Sequence, residues 1–157
     1  HKWATDVTEF KVADRKSYLS PIIDMFNGEI ISYTISDRPD LKMVIDMMHS
    51  AKRKVRNTEG IILHSDQGWH YQHKLYQQTL KDYGITQSMS RKGNCLDNAV
   101  MENFFGIMKS ELLYLQKFSD MDDFKKQLKK YIHYYNNDRI KLKLKGKSPV
   151  QYRTLYT

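Results

Sequence analysis

Three acidic residues carry the chemistry this chain could do. Asp6 follows the aromatic and β-branched run Trp3-Ala4-Thr5, Asp66 follows the short apolar run Ile61-Ile62-Leu63, and Glu102 lies on a stretch of helical periodicity. Carboxylates brought together from separate elements repel, so without a cation they become protonated or spread apart. A hard divalent ion resolves the conflict: Mg²⁺ prefers oxygen ligands, binds through few carboxylates and keeps positions for phosphate oxygens. Two such ions about 3.5–4 Å apart can activate an attacking oxygen and stabilise a leaving one at phosphorus. The chain carries 26 Lys and Arg against 18 Asp and Glu, a net charge of +8, and that excess favours a nucleic acid as the phosphate-bearing partner.

Glu102 sits within Asn98–Leu113, where Met101, Phe104, Phe105, Met108 and Leu112, continued by Leu115, recur at helical spacing as one apolar stripe. Lys109 follows Glu102 by seven residues, so the two fall nearly one above the other at the border of that stripe. Glu111 follows by nine, half a turn out of phase, and is expected to face away. Asp24 reads as a solvent-facing or turn residue, and Asp97-Asn98 as a helix cap. A zinc site from His64, Asp66, His70 and His73 lacks a recognised spacing and a Glu base. Cys95 has no His motif beside it and is a poor nucleophile.

These residues need a scaffold. Residues 3–10, 18–26 and 29–35 read as strands, with Asn27-Gly28 as a hairpin turn and Pro21 as the mark of an edge or a bulge. A helix capped by Asp40 runs to about Val55, Ile61–Leu63 is a buried central strand, and a second helix spans about Tyr71–Tyr83 before Gly84. Ile85–Met89 is a fifth strand, and Ser90–Asp97 a polar loop. After the Glu102 helix, Ser119 and Asp122 suggest a weak capping box for a last helix through Tyr135. Lys125–Arg153 holds ten basic residues and one acid, and its Ile140, Leu142 and Leu144 alternate with lysines, as a strand edge laid on phosphates or a solvated edge would. The order predicts an α/β fold, a five-stranded mixed sheet with helices on both faces. The strand after the first crossover helix would lie parallel to the first, bringing Asp66 beside Asp6 at the carboxyl edge where ligands gather.

At 157 residues the chain suits one domain. One cysteine excludes an internal disulfide and fits a reducing compartment, and no run is long and apolar enough to span a membrane. Residue 1 is His rather than Met, so residues 1–157 are expected to be a piece of something longer.

The local words around the acids are more telling than the 35 residues enclosed by Asp66 and Glu102 (102 − 66 − 1). Trp3-x-Thr5-Asp6-Val7-Thr8, His64-Ser65-Asp66-x-Gly68-x-x-Tyr71 and Ser90-x-x-Gly93-x-x-x-Asp97-Asn98-Ala99-x-x-Glu102 occur in order. With Lys109, Tyr135-Asn136-x-x-Arg139 and Ser148-Pro149-Val150-x-Tyr152, they resemble the catalytic core of bacterial insertion-sequence transposases of the retroviral-integrase type over nearly the whole chain. The resemblance implies a ribonuclease H-like fold and a catalytic triad of Asp6, Asp66 and Glu102 holding two Mg²⁺ or Mn²⁺ ions. It also implies DNA contacts by Lys109, with Arg91, Lys92 and Arg139 as further candidates. The expected activity is cleavage at element ends and transfer of the freed 3′-hydroxyl to target double-stranded DNA, by a homo-oligomer in the bacterial cytoplasm, at the nucleoid. The helix-turn-helix region that reads element ends is absent from these residues, and Lys141 stands where many members have His. A nuclease of the same fold, or a catalytically silent DNA-binding or oligomerisation module, are the alternatives.

Overall fold

The computed structural model describes residues 1–91, 99–113 and 117–156. Strands β1 (Lys2–Thr5), β2 (Thr8–Val12), β3 (Arg15–Asp24) and β4 (Ile30–Ser36) come first, followed by helix α1 (Leu41–Lys54). Strand β5 (Ile62–Ser65), helices α2 (Trp69–Gln72) and α3 (Lys74–Asp82) and strand β6 (Thr86–Met89) complete the sheet. Helix α4 (Ala99–Met108) runs directly into a π-helical turn (Lys109–Leu113), and α5 (Met121–Asn137), a 3₁₀ turn (Leu142–Leu144) and α6 (Pro149–Tyr156) close the chain.

β1 and β2 pair antiparallel with one edge of β3, and β4 takes the other. β5 lies parallel beside β1, and β6 parallel beside β5. Residues 2–12 are thus one strand with a break at Asp6-Val7, and the sheet has the five expected positions, with six segments. The break has a local cause. The register runs Thr5↔Ile22 before it and Thr8↔Leu19 after it, so Pro21 stands opposite Asp6. Proline has no N–H to give the ladder, and the strand opens there. Pro21 therefore sits in a strand paired on both sides rather than at an edge, and the register against β4 shifts at Ile22/Ile23, as at a bulge.

Strand alternation divides the core. Trp3, Ile22, Ile31 and Leu63 point to one face and pack with Met43, Val44, Met47 and Met48 of α1 and with Tyr76 and Leu80 of α3. Ala4, Phe10, Leu19, Ile23 and Ile30 point to the other and meet Met101, Phe104 and Met108 of α4 and Phe124, Leu128, Ile132 and Tyr135 of α5. Helices thus cover both faces.

Several boundaries differ from expectation, each for a local reason. Asp40 caps α1 by accepting from the Met43 N–H (3.0 Å), as the sequence implies. The 71–83 helix is divided at His73, whose ring accepts from the Leu75 N–H and restarts the helix as α3. The cap of α5 is Asp120, accepting from the Asp123 N–H (2.7 Å), one residue after the expected Ser119. Asp24 is buried rather than solvent-facing, and serves as a turn residue by accepting from the Phe26 N–H. Of Ile140, Leu142 and Leu144 only Leu144 is buried; Leu142 is 96% exposed, because a 3₁₀ turn replaces extended chain and no single face forms. Ser148 and Gln151 cap α6 reciprocally, and Asn136 bonds both the N–H and C=O of Ile30, tying α5 to β4.

Candidate catalytic site at the carboxyl edge of the sheet

The parallel pairing of β1 and β5 sets Ala4 opposite His64, so Asp6 and Asp66 each follow two residues beyond a matched pair. Both strands end there, and the two carboxyl groups leave the same edge of the sheet. Asp6 Oδ1 accepts from the Val7 N–H (2.8 Å). Asp66 Oδ1 accepts from the Gly68 N–H (2.8 Å), which turns the chain into α2. A Cβ at position 68 would stand 3.0 Å from Asp66 Oδ1 and 3.4 Å from the Tyr71 ring, so a side chain there would crowd both, and the spacing Asp66-x-Gly68-x-x-Tyr71 has a steric reason. Tyr71 is fully buried beneath the two aspartates; burial pushes its phenol far up, and Tyr76, Asp6 and Asp66 add to that.

The electrostatics link all three acids. The Asp6 carboxyl is pushed up from 3.8 to about 6, chiefly by burial, then by Asp66 and Glu102 and by a hydrogen bond with Asp66, against the opposing Val7 N–H. Two carboxyls in hydrogen-bonding contact cannot both stay ionised without cost. Glu102 is exposed on α4, whose stripe of Met101, Phe104 and Met108 is anchored in the core. Among the described residues no three His, Cys, Asp or Glu side chains stand close enough to hold a metal ion as they are. The three acids share an electrostatic neighbourhood rather than a finished coordination cage.

The basic candidates occupy separate places. Arg91 is exposed and follows Ser90, whose N–H donates to the Ser65 carbonyl (2.8 Å), so it stands beside the Asp66 strand. Lys92 lies outside the described residues, as do Cys95, Asp97, Asn98 and Leu115. Lys109 is half-buried with Nζ 5.5 Å from the centre of the Phe10 ring, on the flank of α4 that faces β2. Arg139 lines a groove of about 460 Å³ with Glu102, Ser110 and Glu111. Lys141 lies over the Tyr135 ring (4.4 Å), and burial, with Arg139 and Lys143, pulls its ammonium down to about 8. His64 bonds Ser88 (2.8 Å), His70 bonds the Pro39 carbonyl (2.7 Å) and His73 caps α3, so the alternative zinc set is not gathered.

Glu111 is the residue that periodicity misplaces. It shares the groove with Glu102 because the groove spans a broad face of the helix, lined by Glu102, Asn103, Gly106, Ile107, Ser110 and Glu111. Its carboxylate accepts from Arg139 Nε (2.6 and 3.0 Å) and from the Tyr131 hydroxyl (2.9 Å). The available signal was compositional: a single acid in 103–119, ahead of a tail with ten bases and one acid.

Comparison with known proteins gives these features a family. Two family models, each described as an integrase core domain, match residues 1–95 and 102–155. The chain is 57% identical over 152 residues to InsK of insertion sequence element IS150 from Escherichia coli (strain K12), a protein named as a transposase; the match covers 97% of this chain and 54% of InsK. It is 52% identical over 153 residues to a transposase-like protein of Haemophilus influenzae, covering 98% of this chain and 70% of that protein. The chain therefore spans about half the length of InsK. The HTLV-2 integrase catalytic core superposes with a TM-score of 0.75 at 20% identity, covering 97% of this chain and 95% of that one, and bears out the ribonuclease H-like fold. Among the described residues no helix is long and apolar enough to cross a membrane. The chain belongs to the integrase core domain family, together with the transposases of bacterial insertion sequences.

Proposed function

We propose that residues 1–157 are the catalytic core of a metal-dependent DNA transposase, which cuts strands at the ends of a mobile element and joins the freed 3′-hydroxyls to target DNA. The observation that carries the reading is the placement of Asp6 and Asp66 at the matched ends of parallel strands β1 and β5. There burial first, then repulsion from Asp66 and Glu102, raises the Asp6 carboxyl to about 6. Such repulsion is a cost to the folded chain that a bound cation would remove. The donor set fits: three carboxylates and no thiolate or imidazole suit a hard ion such as Mg²⁺ or Mn²⁺. The HTLV-2 integrase core is a complex with magnesium, and that cofactor is carried to this chain as part of the proposal.

Asp6, Asp66 and Glu102 would hold the ions between them, and the bound ions would supply charge to the attacking and leaving oxygens of a displacement at phosphorus. The chain's own residues do the rest. The strand break and the Gly68 turn fix Asp6 and Asp66 on paired backbone, while exposed Glu102 has a flexible side chain with which to close the set. Lys109, Arg91, Lys92 and Arg139 would hold the phosphate backbone around this edge. Double-stranded DNA, at element ends and target, is the partner this basic surface fits, and an oligomer of the chain would hold both. The same reading places the protein in the bacterial cytoplasm, at the nucleoid, as the core of a longer transposase whose end-recognition region lies outside residues 1–157.

The test is strand transfer by the complete transposase. Asp66→Asn or Glu102→Gln is expected to abolish transfer with Mg²⁺ or Mn²⁺ while DNA binding persists, because amides keep shape and lose the ligand charge. Equal loss of binding and activity would assign these acids a structural role. Cleavage without any joined product in the wild type would favour a nuclease.

A further inference from the structure

The groove beside Glu102 ends at a side-chain cluster to which the three acids give no role. Arg139 follows the C-terminus of α5, where its backbone N–H donates to the Tyr134 carbonyl (2.8 Å), so the side chain is launched from a fixed point. The guanidinium meets Glu111 through Nε, at 2.6 and 3.0 Å from the two carboxylate oxygens. Among the described residues no hydrogen bond engages Nη1 or Nη2. Tyr131 donates to the same carboxylate, and the Arg139 carbon lies 6.0 Å from the centre of the Tyr135 ring. An arginine held by its inner nitrogen keeps its outer fork for a second acceptor, and a phosphate diester matches that fork bidentately.

The cluster lies where the helix departs from α geometry, at the π turn Lys109–Leu113. Continued as α-helix at about 100° per residue, position 111 would face away from Glu102. Glu111 nevertheless lines, with Arg139, the groove of about 460 Å³ that Glu102 also borders. π turns occur disproportionately at functional sites.

We infer that Glu111 is a positioning residue that holds Arg139 edge-on, so that its fork clamps a phosphate of the DNA strand leading to Glu102. The inference rests on the DNA-processing function proposed above. It also carries an unusual sign. Glu111 is an acid beside the proposed DNA path, so charge alone predicts that removing it strengthens binding. Positioning predicts the reverse.

The experiment compares Glu111→Ala with Glu111→Gln in the 157-residue chain, binding a labelled duplex in Mg²⁺ across a salt series. Both substitutions raise the net charge from +8 to +9, the removal of one acid, so a difference between them does not come from net charge. Gln keeps an oxygen for both Tyr131 and Arg139, and Ala keeps none. Glu111→Ala is expected to bind about tenfold more weakly than Glu111→Gln, the equivalent of one charge-assisted hydrogen bond. Its log K against log salt slope should fall by about 0.9, the loss of one phosphate contact. Arg139→Lys, which conserves charge and lacks the fork, should also bind about tenfold more weakly than wild type. Equal affinities for Ala and Gln, or tighter binding by Ala, would overturn the inference. If thermal unfolding shows that Glu111→Ala does not fold, Arg139→Lys decides: wild-type affinity for it overturns the clamp. Failure of the wild-type chain to bind DNA in a salt-dependent way would instead remove the DNA-processing reading itself.

Discussion

Replacing Asp6 by asparagine should stabilise the metal-free protein, and the pH dependence of that gain tests the acid cluster without any DNA. The Asp6 carboxyl titrates at about 6 in the folded chain against an ordinary value of 3.8. The folded state thus holds a proton more tightly than the unfolded chain does. Between those values the native state binds more protons, so stability falls as pH rises from about 4 to about 6 and stays at its lower value above that. The full difference corresponds to about 3 kcal/mol. The amide in Asp6→Asn would keep the Oδ1 acceptor for the Val7 N–H and remove the charge that burial, Asp66 and Glu102 penalise. Relaxation and water entry will reduce the gain, so about 1–2 kcal/mol is expected at pH 8 in EDTA, or a Tm rise of about 2–8 °C for a chain of this size. At pH 4 the carboxyl is mostly protonated when folded, and the gain should nearly vanish. Mn²⁺ should reverse the ranking, since a ligand at a hundredfold excess over Kd adds about 2.7 kcal/mol to the form that binds it. The assay is thermal unfolding of wild type and Asp6→Asn at pH 4, 6 and 8, with EDTA and then across a Mn²⁺ titration at matched ionic strength. A pH-independent difference would refute the electrostatic argument, and identical Mn²⁺ responses would refute Asp6 as a ligand.

Two further outcomes are expected beyond those stated with the proposals. Lys109→Ala should slow strand transfer by weakening hold on the reacting DNA end, with Lys109→Arg milder because it restores a cation; wild-type transfer by the alanine variant would leave Lys109 as a side chain packed on Phe10. The 157-residue chain, at +8, should bind duplex DNA regardless of sequence and with a steep salt slope, measurable by fluorescence anisotropy from about 50 to 200 mM salt. Selective binding of one terminal sequence at physiological salt would show that end recognition resides within these residues.

The sequence alone determined what depends on neighbours within a turn or on the alternation of a strand. Asp40 caps α1 because a cap is a three-residue interaction, and Asn27-Gly28 turns the chain because Gly28 accepts a φ of +79°. The motif Asp66-x-Gly68-x-x-Tyr71 is compact enough that its steric logic lies within six residues. The apolar stripe Met101, Phe104, Met108 and Leu112 is buried as its spacing implies. Parallel placement of Asp6 beside Asp66 was legible too, since a helical crossover after an antiparallel meander leaves few arrangements for the next strand.

What the tertiary structure decided involves groups remote in sequence. The strand break at Asp6-Val7 stands opposite Pro21 on the neighbouring strand, and no property of residues 3–10 announces it. The rise of the Asp6 carboxyl needs burial together with Asp66 and Glu102, which only the folded sheet supplies. Periodicity turns Glu111 away from Glu102 because it assumes an unbroken α-helix. The partners of Glu111, Tyr131 and Arg139, lie 20 and 28 residues further along the chain. Periodicity carries the angle of each residue about its own helix axis, while the position of a partner on another helix enters only through packing.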